Sequence, residues 1–168
     1  MSSDLLKFYR GRGIDAAGRT IDEVWAFERG RLEAVHDYIQ WIFPLPDPSR
    51  FNPDAPLLSA ADIAAFRSDA ALCERALRSL DVMLAFLGLV RRAQAIERAP
   101  AFSADMHWLQ PLNHNHLRLT RMMLFLRHVG LATEAEAFLA CVLDIAAREG
   151  KSTISDATLR FWQATRSV

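Results

Sequence analysis

The sequence predicts an all-α fold, with about eight helices packed around two buried central ones. Three observations predict it. Apolar residues recur at helical spacing in nearly every segment of helical length. Serine or threonine precedes several of these runs, often with an acid three residues on. No alternating run of β-branched residues reaches strand length. A chain of 168 residues suits a single domain, 1–168, with a real core.

In chain order, Ser3 or Ser2 precedes a short helix over residues 4–10, with Leu5, Leu6, Phe8 and Tyr9 on its apolar side. Gly11, Gly13 and Gly18 mark a loop. Thr20 and Glu23 make a capping box for the next helix, which carries Val24, Trp25 and Phe27. Gly30 predicts a kink or break. The first central helix then runs from Arg31 to Pro44, RLEAVHDYIQWIFP. Leu32, Val35, Ile39, Ile42 and Phe43 form one apolar face, and Ala34, Tyr38 and Trp41 a second. A helix apolar all round is buried on both sides. Its one polar stripe is Glu33, His36, Asp37 and Gln40, at i, i+3, i+4 and i+7.

Five prolines between Pro44 and Pro56 predict a rigid extended crossing, with Phe51 and Leu57 as anchors onto the core. Such a stretch also suits partner domains that read proline-rich segments. Ser59 with Asp62 starts a short helix to about Arg67. Ser68 starts a long one over 69–87, with Leu72, Ala76, Leu80, Met83 and Leu84 on one face and Gly88 at its end. Residues 91–101 read as loop, and Ser103 as the cap of a short helix through Leu109. Pro111 introduces the second central helix, over 112–129, ringed by Leu117, Leu119, Met122, Met123, Phe125 and Leu126. Thr133 and Glu136 predict a capping box for a helix to Arg148 that Gly150 stops. Thr153 and Asp156 start the last helix, with Leu159, Phe161 and Trp162.

Composition narrows function by exclusion. A formal net charge of zero offers no basic footprint for nucleic acid or an anionic membrane. The N-terminus lacks the pattern of a signal peptide. The most apolar run, Val82 to Val90, is far short of a membrane span. A soluble, cytoplasmic chain is expected, its two cysteines, Cys73 and Cys141, reduced. His114 and His116 diverge on a helix, and no HExxH or CxxC spacing occurs, so neither metal nor cofactor is expected. Without GxSxG, P-loop or GxGxxG, no residue is assigned as catalytic and no enzyme is expected.

Two motifs carry a resemblance. HDYIQWIFPL, from His36 to Leu45, resembles the signature of the conserved N-terminal domain of the opioid growth factor receptor family. That family's second signature is a His-Asn pair, one variable residue, then Leu-Arg-Ile-Thr-Arg. Here it is matched by His114, Asn115, Leu117, Arg118, Thr120 and Arg121, with Leu119 in place of Ile. GRTIDEVW upstream and the Gly130-Leu131 turn fit as well. The similarity covers most of the chain and is weakest over 88–102; the family's long C-terminal repeats are absent. The resemblance implies a non-enzymatic binding domain. Animal members are described as receptors for an enkephalin-type peptide growth regulator at the nuclear periphery, which implies a peptide, small-molecule or protein partner and allows peripheral membrane association.

On the second central helix His114, Arg118 and Arg121 share a stripe, next to Asn115. The two polar stripes are expected to meet, with Asp37 or Glu33 paired to Arg118 or Arg121 and His36 near His114. Breaking such a buried pair costs ~3–5 kcal/mol, so Asp37→Ala should destabilise strongly. Three roles stay open for the seam. It fixes helix register through Arg–carboxylate pairs, it lines a ligand pocket, or it catalyses with His36, Asp37, His114 and Arg118.

Overall fold

A computed structural model describes residues 3–50, 52–149 and 153–168. Among the described residues 58% are helical, with one small two-stranded sheet, so the protein is mostly helical and not purely all-α. It condenses into two compact units, Met1–Val82 and Met83–Val168.

The first unit holds α1 (Asp4–Tyr9), α2 (Ile21–Trp25), α3 (Arg29–Ala34), α4 (Ile39–Ile42), α5 (Ala60–Ser68) and the N-terminal part of α6 (Ala70–Phe86). Three of its caps form as the sequence predicts, and the fourth falls on Asp69 in place of Ser68. Ser3 accepts from the Leu6 N–H, and Thr20–Glu23 and Ser59–Asp62 are full capping boxes. Asp69 caps α6, its Oδ1 accepting from Ala71 N at 3.0 Å, while Ser68 bonds back to the Ala64 carbonyl. Aromatic rings fill the interior. Phe8 meets Trp41 edge-on at 5.2 Å, and Tyr9 meets Phe66 at 4.8 Å. Edge-to-face pairs are attractive beyond the area they bury.

The predicted helix from Arg31 to Pro44 does not form as one piece. Gly30 lies inside α3, and the break falls later, at residues 35–38, between α3 and α4. Val35 is extended, with φ −92° and ψ 134°. β-Branched and aromatic residues lose rotamer freedom in helices, and aspartate competes for backbone hydrogen bonds. Val35, Asp37 and Tyr38 concentrate those penalties at the elbow. Tyr38 secures it, donating its hydroxyl to the Leu32 carbonyl at 2.8 Å. Downstream, the Pro-rich stretch is not the extended crossing expected: Ala55 N turns back to Asn52 O at 3.1 Å, and Leu58 N donates to Leu45 O at 3.0 Å, so the chain loops back beside its own start. Leu57 is 51% exposed, so the anchor is its neighbour Leu58, 2% exposed. Phe51 lies outside the described residues.

The second unit holds β1 (Leu89–Arg92), β2 (Ala95–Arg98), α7 (Asn115–His128), α8 (Ala132–Glu149) and α9 (Asp156–Ala164). Together the units contain nine α-helices among the described residues, against the eight expected. The stretch read as loop is an antiparallel hairpin, with Leu89 opposite Arg98 and Arg92 opposite Ala95. Four-residue strands with only Val90 and Ile96 β-branched are too short to show alternation. Gly88 enters the hairpin at φ +75°, and a side chain there would run into Met106.

α7 packs against α8 and α9, and β2 against α8. Leu119, Met122, Met123, Phe125 and Leu126 of α7 are buried, while Leu117 is 60% exposed. The helix expected after Ser103 shrinks to a 3-10 turn at His107–Leu109, where Trp108 Nε1 donates to the Leu87 carbonyl at 3.0 Å. The expected Thr133–Glu136 capping box is absent. α8 begins before Thr133, and Ala135 N bonds Leu131 O at 3.0 Å. Glu136 instead takes Arg127 Nη2 at 2.9 Å and Arg166 Nη2 at 2.5 Å. Charge-assisted bonds to two guanidiniums outweigh one neutral cap. Gly150 lies outside the described residues. Ser155, not Thr153, caps α9.

Candidate functional site

The residues assigned to the first polar stripe need a continuous helix, and the elbow removes it. Glu33 stays on α3, His36 and Asp37 sit in the elbow, and Gln40 belongs to α4. Their i, i+3, i+4, i+7 alignment is therefore lost. Asp37 is exposed, and its Oδ1 accepts from Arg19 Nη2 at 2.8 Å. Arg19 Nε also reaches Asp15 Oδ2 at 2.6 Å. Asp15, 3% exposed, further accepts from the Ala17 and Arg19 backbone N–H groups, both at 2.9 Å. These bonds and the two carboxylates raise the Arg19 pKa above its ordinary value despite its partial burial. The loop acid Asp15, adjacent to the glycines of a predicted loop, gave no helical signal and was missed. Gln40 is buried, its side-chain amide donating at 3.1 Å to the carbonyls of His36 and Asp37. It closes the elbow, a structural role.

The second group lands on one helix as expected. His114 is the residue before α7, and Asn115, Arg118 and Arg121 lie within it. Arg118 is 5% exposed, with Nη1 donating to Asn115 Oδ1 at 3.2 Å. Burial lowers the Arg121 pKa. Asn115 N in turn donates to Asn113 Oδ1 at 2.9 Å. The signature thus builds the start of α7 from within.

The residue between the matched positions, His116, has the more open chemistry. It is 7% exposed, and its Nε2 lies 2.7 Å from the Trp108 carbonyl oxygen. Its own carbonyl accepts from the Thr120 hydroxyl at 3.1 Å and from Trp162 Nε1 at 3.2 Å. The Trp162 ring stands edge-on to the imidazole at 5.7 Å. Burial lowers the His116 pKa against the pull of the Trp108 carbonyl. The ring lines a pocket of about 360 Å³ together with Leu112, Thr153, Ser155, Asp156 and Thr158. Leu112, 96% exposed, is held at φ +54°, a left-handed conformation costly for a leucine. Spacing in the sequence relates His116 only to His114, and nothing in it points to the Trp108 carbonyl.

A second, shallower groove of about 730 Å³ runs between β2 and α8. Its one thiol, Cys141, has its pKa pushed up to about 11 by burial and by Asp144, which makes it a poor nucleophile. Among the described residues no group of three His, Cys, Asp or Glu side chains is placed to hold a metal. No helix of those residues is long and apolar enough to cross a membrane.

Comparison with known proteins adds to this geometry. A family model described as the opioid growth factor receptor conserved region matches residues 3–166. The chain is 37% identical over 133 residues to the opioid growth factor receptor of Mus musculus, covering 75% of this chain and 21% of that protein. Against the receptor of Homo sapiens it is 34% identical over 110 residues, 64% of this chain and 16% of that protein. Opioid growth factor receptor-like protein 1 of Mus musculus is 31% identical over 131 residues, 74% of this chain and 28% of that protein. The chain therefore spans a minor part of each relative's length. No solved structure matches.

Proposed function

Since the chain belongs to the opioid growth factor receptor conserved-region family, we propose that it is a non-enzymatic domain that binds a peptide or small ligand. The observation that carries this reading is the fate of the acid an enzyme would need. Asp37 lies exposed in the elbow, bonded to Arg19 at 2.8 Å, and no longer shares a helical stripe with the side chains around it. The pocket beside His116, by contrast, is open and lined by polar groups. Relatives named as receptors make a binding role the natural one for the shared region. The same reading places the chain in the cytoplasm, with Cys73 and Cys141 as free thiols.

The test is thermal unfolding with increasing amounts of an enkephalin-type peptide. A ligand selective for the folded state stabilises it by about 2.7 kcal/mol at a hundred times its Kd. A saturable rise in Tm is expected. A flat Tm up to millimolar peptide, with a scrambled peptide as control, removes the peptide-receptor reading for this chain.

A further inference from the structure

The pocket beside α9 sets apolar walls, Pro111, Leu112 and Ile154, against the polar side chains of His116, Asp156 and Thr158. A backbone carbonyl only accepts, so the 2.7 Å contact to Trp108 puts the His116 proton on Nε2 and the lone pair on Nδ1. No hydrogen bond to Nδ1 is made among the described residues. His116 is 7% exposed, and burial disfavours its charged form, lowering its pKa. Asp156, exposed at the first position of α9, lines the same space, and its carboxylate has no bonded partner among the described residues. Ser155 Oγ accepts from Thr158 N at 3.2 Å and lies 3.1 Å from Thr158 Oγ1.

The start of a helix ordinarily favours an anion. Here Asp156 already supplies that negative charge, and no lysine or arginine is among the described lining residues. An incoming anion would meet a carboxylate and a lone pair. A donor-bearing cation meets both favourably. The volume, about 360 Å³, falls at the small end of ligand pockets.

We propose that this pocket binds a primary ammonium group, carried either by the N-terminus of a peptide or by a small amine. Its three N–H donors match His116 Nδ1, the Asp156 carboxylate and the remaining lone pair of the Thr158 hydroxyl. The headgroup and the pocket are independent of whether an enkephalin-type peptide is the carrier.

The experiment is an NMR titration of the full chain with benzylamine, benzoate, Phe-Gly-Gly amide and its N-acetylated twin. Benzylamine should shift the His116 ring nitrogens and the amides of residues 153–158 saturably, and benzoate should not. Binding of the free-amine peptide but not its acetylated twin identifies a peptide terminus as a carrier; binding of benzylamine alone identifies a small amine. Asp156→Asn, at an exposed position, should weaken the ammonium probe about tenfold, the scale of one charge-assisted bond. His116→Gln keeps a donor for the Trp108 carbonyl and removes the Nδ1 acceptor, and should weaken it further. Saturable benzoate binding at these residues, no response to either free-amine probe, or unchanged affinity in a folded Asp156→Asn variant overturns the proposal. Enkephalin-peptide stabilisation that survives both substitutions would leave the receptor reading standing and this pocket excluded.

Discussion

Residues 29–42 and 115–128 are stretches of equal length, both dense in large apolar side chains, and they fold differently. The later stretch is one helix of 14 residues, α7. The earlier one is two short helices joined by the 35–38 elbow. Leucine, methionine and arginine dominate α7, and these keep most of their rotamers in a helix. Val35, Asp37 and Tyr38 do not, and the elbow has its own bonds, from Tyr38 to Leu32 and from Gln40 to the carbonyls of His36 and Asp37. Apolar periodicity says that a segment will be buried. Propensity and local bonding decide whether it is buried as one rod.

The sharpest way to probe the contrast is at a fully buried ring of the continuous helix. Phe125→Ala should cost ~3–5 kcal/mol in urea denaturation, because the cavity cannot collapse within packed helices. A loss below ~1 kcal/mol would show that α7 repacks as readily as the elbow. Tyr38→Phe removes the hydroxyl that ties the elbow to the Leu32 carbonyl, and a loss of about 1 kcal/mol is expected by the same measurement. An unchanged midpoint would leave propensity and the Gln40 bonds as the causes of the break. Asp37→Ala should cost under ~1 kcal/mol, since the Asp37 side chain is 53% exposed and Arg19 keeps its bond to Asp15. A cost of ~3–5 kcal/mol would restore the buried pairing inferred from the stripe.

The smallest effect concerns the second unit and pH. Glu136 has its pKa lowered to about 2 by Arg166 and Arg127. Its contribution is therefore complete above its unfolded pKa, near 4.5, and fades as pH falls toward 2. The side chain is 46% exposed, so salt screens much of it. Glu136→Gln should flatten the acid limb of the stability curve slightly at low ionic strength and leave it unchanged at neutral slope. An identical acid limb in both proteins would deny the pair any energetic role.

Much of the architecture was legible in the chain because it rests on local rules. Ser3, Thr20 and Ser59 cap where their spacing says. Gly88 and Gly130 take the left-handed conformation that ends a helix. The hairpin was hidden because a four-residue strand offers too few positions for alternation to register. Thr133 misled because two arginines distant in sequence claim Glu136. The polar groups divided along the same line. Asn115 and Arg118 form a local pair three residues apart, which helical spacing anticipates. Asp15 and Arg19 are four apart but lie in a loop, where helical spacing carries no signal, and His116 takes the Trp108 carbonyl, eight residues back outside its helix.

The aromatic packing of the first unit also provides an optical handle. Tyr9 and Tyr38 are the chain's two tyrosines, both fully buried and both donating to main-chain carbonyls, of Ile42 and Leu32. Burial pushes the Tyr9 phenol well above its usual range. Tryptophans, by contrast, occur in both units, Trp25 and Trp41 in one and Trp108 and Trp162 in the other. Phenolate absorbance in alkali therefore reports the opening of residues 1–82 alone, while indole fluorescence reports both halves, so one sample read at two wavelengths separates their melting.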